Sequence, residues 1–248
     1  MKTERDIMIF YARIAGLSYV VFTVSGLIKN FLLNTKLSAV NEIQTNSIFV
    51  NEIYFRFGIG AEILIFLATL MASVAFYIVL KPVNKQLALL ALCLRLCEII
   101  LGGFVVIVSM TMLTVSVKTY YTEIFDLEQL RMIVAVLSGL RMPAYEYSWI
   151  FMGFAGVITF YLFLKSRYIP VFWSVWGIFT YSSLVIYPVA KVLIPDLPKE
   201  VMFVMYPGAL FELGVGIWLL TIGIKLPSNS EGFSNMPTQQ STANNSAA

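Results

Sequence analysis

Residues 87–113 read LALLALCLRLCEIILGGFVVIVSMTML, and in that stretch only Arg95 and Glu98 carry charge. A helix rises 1.5 Å per residue, so about 20 apolar residues cross a hydrocarbon core of about 30 Å. Five further runs of the same kind occupy residues 7–28, 57–80, 147–164, 168–193 and 201–224. Lipid offers no partner for backbone polar groups, so only helices and closed barrels cross it. The ten-residue alternating segments of a barrel are absent. The pattern predicts an all-α polytopic membrane protein, a six-helix transmembrane bundle.

Composition points the same way. Hydrophobic residues make up 59% of the 248 and charged ones 12%, where a soluble domain carries roughly 25% charge. The first run is longer than the apolar core of a signal peptide and no small-residue cleavage site follows it, so a retained helix is expected. The net charge of +3 is spread over the connections. It forms no basic stripe, which argues against a nucleic-acid partner. The lipid bilayer is the partner implied.

Orientation is read from short loops. With the N-terminus inside, seven basic residues face inward and eight outward, a near tie. The connections at 81–85 and 165–167 are short, basic and free of acid, and such loops carry the most weight. Both termini are therefore expected in the cytoplasm of a multi-pass cell-membrane protein.

Two outer connections, 30–56 and 114–146, are long. The second contains Leu127, Leu130, Ile133, Val134, Leu137 and Leu140, a spacing that predicts an amphipathic outer helix. It fits a lid over the bundle, a helix lying in the interface, or a helix packed on the outer helix ends. Residues 1–225 are expected to form one domain. Residues 226–248, rich in Ser, Asn, Thr and Gln, are expected to be a disordered polar tail. A weak internal echo pairs Gly58-x-x-x-Glu62 with Gly208-x-x-x-Glu212.

Ionisable residues within spans are costly and tend to face the bundle interior. Five occur here: Arg13, Glu62, Arg95, Glu98 and Glu212. Glu98 lies 13 residues from Lys85, and Glu212 lies 13 from Lys225, so the two share a depth. Arg95 shares a helix face with Glu98 through i,i+3 spacing. Gly208, Glu212, Gly216 and Gly223 fall on roughly one face, which suits close helix packing. Glu62 is expected nearer the outer surface and Arg13 nearer the inner one. The cluster reads either as a site for a polar ligand or proton, or as an ion-paired network that holds helix register.

The chain has no histidine. That removes His-ligated haem, His-containing zinc sites and Ser-His or Cys-His nucleophile pairs. Cys93 and Cys97 face one way and are expected to be buried small side chains. No metal or cofactor is expected, and no Walker loop, dinucleotide fingerprint or nucleophile elbow occurs.

Several motifs then combine. They are Arg13-Ile14-Ala15-Gly16, Arg56-Phe57-Gly58 leading to Glu62, and Lys81-Pro82-Val83-Asn84-Lys85, followed by Arg95 and Glu98. Next come Phe151-x-Gly153, Ser166-x-Tyr168-Ile169-Pro170, and Glu212 with Trp218-Leu219-Leu220 and Gly223. In order and spacing the chain resembles the bacterial domain of unknown function 4386 family over most of residues 10–225. The resemblance implies an integral membrane protein of the cell envelope and no particular activity. The chain departs from it at Val171, where members often have Arg, and in lacking histidine.

The leading functional expectation is a non-enzymatic membrane protein. Its interior cluster, Arg95, Glu98 and Glu212, would bind a small polar or amphiphilic ligand. A proton-linked transporter, a membrane-embedded lipid-modifying enzyme and a structural or sensory component are the alternatives.

Overall fold

The computed structural model describes residues 3–33, 52–194 and 196–226. The tail expected at 226–248 lies outside them from residue 227 onward, as does most of the 30–56 connection. The described chain is all-helical. Helix α1 is Glu4–Leu27, continued by a π-helical segment, Ile28–Leu33. Helix α2 is Glu52–Leu80, α3 is Lys85–Val117, α4 is Thr119–Ile124 and α5 is Leu127–Ser166. Helix α6 is Val171–Leu193, and a 3₁₀ turn, Lys199–Met205, leads into α7, Pro207–Thr221. Six of these stretches, 22 to 40 residues long, are long and apolar enough to span a membrane.

Local chemistry sets the ends. The Thr3 hydroxyl accepts the Asp6 amide while the Asp6 carboxylate accepts the Thr3 amide, a capping box for α1. The Asn84 side chain accepts the Leu87 amide at 3.0 Å and starts α3 directly after α2. Arg167 takes a left-handed conformation (φ 58°) to end α5, and Pro170 precedes α6. These two tight connections define the short-loop end of the bundle. The Lys225 amide donates to the Tyr168 carbonyl at 2.8 Å, tying the chain after α7 to that end.

The spans follow chain order around the bundle. Helix α1 packs on α2, α2 on α3, α3 on α5 and α5 on α6; α7 closes the ring against α1 with a lighter contact to α6. Closure depends on Gly16, where a Cβ would fall 2.5 Å from the Leu220 nitrogen and 2.7 Å from the Gly216 oxygen. Two backbones meet there, as small residues permit inside membranes. Aromatic rings fill the interior. Tyr19 meets Phe76 at 5.3 Å, Phe76 meets Phe163 at 5.5 Å and Phe160 meets Phe211 at 5.0 Å, all edge-on. Ile100, Ile107, Ile186 and Leu210 stand about two-thirds exposed on the outside. Continuous apolar surface of this kind is covered by lipid tails at no hydrophobic cost.

Three sequence expectations are corrected. The amphipathic segment at 127–140 is no separate helix: α5 is one 40-residue helix with Pro143 inside it. Leu130 and Val134 are buried, Val134 against Ile59, Val108, Met112 and Leu113, while Leu127 and Leu140 are exposed. Proline removes one backbone bond, and here packing on both sides of it keeps the helix continuous. The sixth span is 3₁₀ over Lys199–Met205 and α-helical only from Pro207, because proline is suited to a first helical turn. Cys93 and Cys97 are exposed, on the side of α3 away from its buried Arg95 and Glu98.

Candidate functional site

Ten residues into α3, Arg95 and Glu98 sit on its inward face. Arg95 Nη1 donates to Glu98 Oε2 at 2.8 Å, and each side chain is less than a tenth exposed. Arg95 Nη2 donates to the Tyr181 hydroxyl of α6 at 3.4 Å, with the guanidinium carbon 5.5 Å from the ring centre. That hydroxyl also lies 3.1 Å from Glu212 Oε1 of α7 and 2.8 Å from the Tyr19 hydroxyl of α1. A phenol donates once and accepts twice. Tyr181 therefore donates to Glu212 and accepts from Arg95 and Tyr19. Its ring has room only because residue 156 is glycine, where a Cβ would overlap the ring.

The structure thus brings Arg95, Glu98 and Glu212 into one buried network. Arg95 and Glu212 are joined through Tyr181 and form no direct ion pair. With both carboxylates ionised, one guanidinium faces two of them (1 − 2), a surplus of one negative charge. Arg95 also lines a small, narrow cleft between α2, α3 and α5, together with Ser73, Phe76, Leu80, Leu92 and Thr159.

Glu62 belongs to a different group. Its Oε1 accepts from Lys29 Nζ at 2.7 Å and from Arg141 Nη2, while the residue is 1% exposed. Lys29 comes from the π-helical segment after α1, Glu62 from α2 and Arg141 from α5. Arg141 Nε donates to Ser109 Oγ of α3 at 2.6 Å, and Lys29 Nζ lies 4.7 Å from the centre of the Tyr145 ring. Glu62 Oε2 is buried without a hydrogen-bond partner among the described residues. Two cations meet one carboxylate (2 − 1), a surplus of one positive charge.

Arg13 joins neither group, because it is exposed on the surface of α1. Gly208, Glu212 and Gly216 share a helix, but Gly223 lies beyond its end with φ +77°. No set of three or more His, Cys, Asp or Glu side chains able to hold a metal occurs among the described residues.

Residues 14–223 match the family described as Domain of unknown function (DUF4386). The chain belongs to this family. No curated protein and no solved structure matches it. Both charge groups of this DUF4386 protein lie within the matched residues, and Arg13 precedes them. Its six candidate spans make it a polytopic membrane protein of unknown activity.

Sequence reading missed Tyr19, Tyr181, Lys29 and Arg141. Tyr181 had a signal, since Thr180-Tyr181-Ser182-Ser183 is a polar interruption in an apolar span. Lys29 and Arg141 read as loop cations, because neither the π-helical extension of α1 nor the continuity of α5 is visible in the pattern.

Proposed function

We propose that this DUF4386 protein is a non-enzymatic membrane protein that binds a small polar or amphiphilic ligand at the central cluster, with Arg95 meeting the polar head. One observation carries the reading: Arg95 is both a member of the buried network and a wall of the cleft. A guanidinium has five N–H donors, and Glu98 and Tyr181 take two of them. The cleft walls supply apolar surface from Phe76, Leu80 and Leu92 and hydroxyls from Ser73 and Thr159. That mixture suits a short apolar chain with a polar end.

A second reading, a proton-linked carrier, is favoured by the surplus negative charge of the same cluster. A proton offsets that charge, and an acidic ligand at Arg95 would demand one.

The test uses octanoate, octanol and octylamine added to the protein in phosphatidylcholine nanodiscs. At least one head group should raise the melting temperature saturably. Leu92→Trp, which fills the cleft and leaves every ion pair intact, should abolish that rise while melting near the parent without ligand. No saturable rise with any of the three, or equal binding by Leu92→Trp, overturns the reading. Proton linkage adds a requirement: Glu212→Gln should bind with a flattened pH dependence.

The short-loop end carries Lys81, Lys85, Lys165 and Arg167, so we place it, with residues 3 and 226, at the cytoplasmic face. A reporter active only outside the cytoplasm should work when fused at Lys118 and fail at Lys225. The reverse result rejects this orientation.

A further inference from the structure

The second charge group stands apart from the proposed ligand cleft, and among the described residues it is incomplete in two complementary ways. Lys29 and Arg141 outnumber Glu62 by one charge. The surplus charge falls on the partly exposed Arg141 and leaves room for an anion beside it. Glu62 Oε2, in a residue 1% exposed, has no donor among the described residues, and a buried acceptor without one has lost its water and gained nothing. No single simple ion answers both. A chloride has no hydrogen to give, and a metal cation would deepen the positive surplus.

A group that carries one negative charge and one hydroxyl answers both. Its anionic oxygens would accept from Arg141 and Lys29, and its O–H would donate to Glu62 Oε2. Arg141 has donors available: beyond Glu62 and Ser109, its other partner is the weakly accepting Met142 sulfur at 3.8 Å. It is also the most accessible of the three, with its side chain 21% exposed against 10% for Lys29 and 1% for Glu62.

Depth narrows the chemistry. Glu62 is 18 residues from Leu80, the end of α2 at the short-loop side. At 1.5 Å per residue that is roughly 27 Å, close to the opposite boundary of an approximately 30 Å hydrocarbon core. Lipid head groups lie at that level. Tyr145, Trp149 and Tyr187 form an aromatic group beside Lys29 there, as is usual where a span meets the interface.

We propose that Lys29, Glu62 and Arg141 form a binding site for a singly charged phosphate with a hydroxyl on its phosphorus or on its head group. Arg141 and Lys29 hold its charged oxygens, and Glu62 Oε2 receives its hydroxyl proton in a hydrogen bond. Both a glycerol-headed phospholipid and free dihydrogen phosphate have this chemistry. The planar fork of Arg141 suits a phosphate better than a point charge would.

The experiment uses the full chain in nanodiscs of phosphatidylcholine alone, read by thermal unfolding and native mass spectrometry. One arm adds phosphatidylglycerol to the bilayer; the other adds inorganic phosphate to the buffer. Either should raise the melting temperature saturably, and the responding arm names the source. Arg141→Gln and Lys29→Gln each leave a neutral pair, so both should fold. Each should bind roughly ten- to a hundredfold more weakly, the usual effect of losing a charge-assisted hydrogen bond. Phosphatidylmethanol has the charge without the hydroxyl and should bind more weakly than phosphatidylglycerol. No response in either arm overturns the site, as does equal binding by both variants. Equal binding of phosphatidylmethanol overturns the role given to Glu62. Leu92→Trp should leave this binding untouched, so it stands or falls separately from the cleft.

Discussion

The two buried charge groups of this bundle are built to opposite counts. The central one sets Arg95 against Glu98 and Glu212, and Tyr181 joins them. The one nearer the long-loop end sets Lys29 and Arg141 against Glu62 alone. Their freedom to adjust also differs. Carboxylates left in surplus can take protons from water, whereas an arginine stays charged at any physiological pH. The surplus carboxylates of the central group can each be neutralised by a proton, and Arg141 of the other group cannot give one up.

The comparison breaks most sharply at Glu62. Glu62→Ala leaves Lys29 and Arg141 facing each other without an anion and should cost on the order of 3–5 kcal/mol, as breaking a buried pair does. Denaturant or thermal unfolding in nanodiscs measures it. Adding Arg141→Gln should recover part of the loss, and no recovery would mean the residues are not coupled.

Arg95→Ala comes next. It strands two carboxylates, but proton uptake limits the damage, so the loss should be smaller and should shrink as pH falls. Arg95→Ala with Glu98→Gln should be more stable than Arg95→Ala alone. A loss that is the same at pH 5 and pH 8 would remove the distinction drawn between the two groups.

Tyr181→Phe tests how the central group is wired. It leaves Glu212 and the Tyr19 hydroxyl without their shared partner while keeping the ring over Gly156 and beside Phe160. The expected cost is about 1–3 kcal/mol, that of a buried polar group left unsatisfied. Tyr19→Phe should cost less, because it strands no charge. If the order is reversed, the donor and acceptor assignment at Tyr181 is wrong.

The smallest effect is expected on the far side of α3. Cys93→Ala and Cys97→Ala alter exposed side chains and should stay within about 0.5 kcal/mol of the parent. A larger loss would rotate α3, and with it Arg95 and Glu98, away from the interior.

The spans were legible because crossing lipid demands length and apolarity, and both are properties of a contiguous stretch. Arg95 with Glu98 was legible because i,i+3 spacing on one helix fixes contact locally. Counting from basic anchors also put Glu212 at the right depth. Tyr181 and Tyr19 were not legible. A tyrosine in an apolar span can face lipid or interior, and the choice rests on where Gly156 and Gly16 let helices approach. Arg141 was hidden for a different reason. Pro143 and the surrounding polar residues read as a loop, but packing carries α5 through them and points Arg141 at Glu62.

By itself, then, the sequence determined the number of stretches long and apolar enough to cross a membrane and the pairing of neighbours on one helix, since each depends on residues adjacent along the chain or one turn apart. Only the tertiary structure decided that the five intramembrane charges divide into two groups of opposite sign and one exposed arginine. Charge balance is a property of what converges in space, and here four helices and a π-helical segment supply the partners.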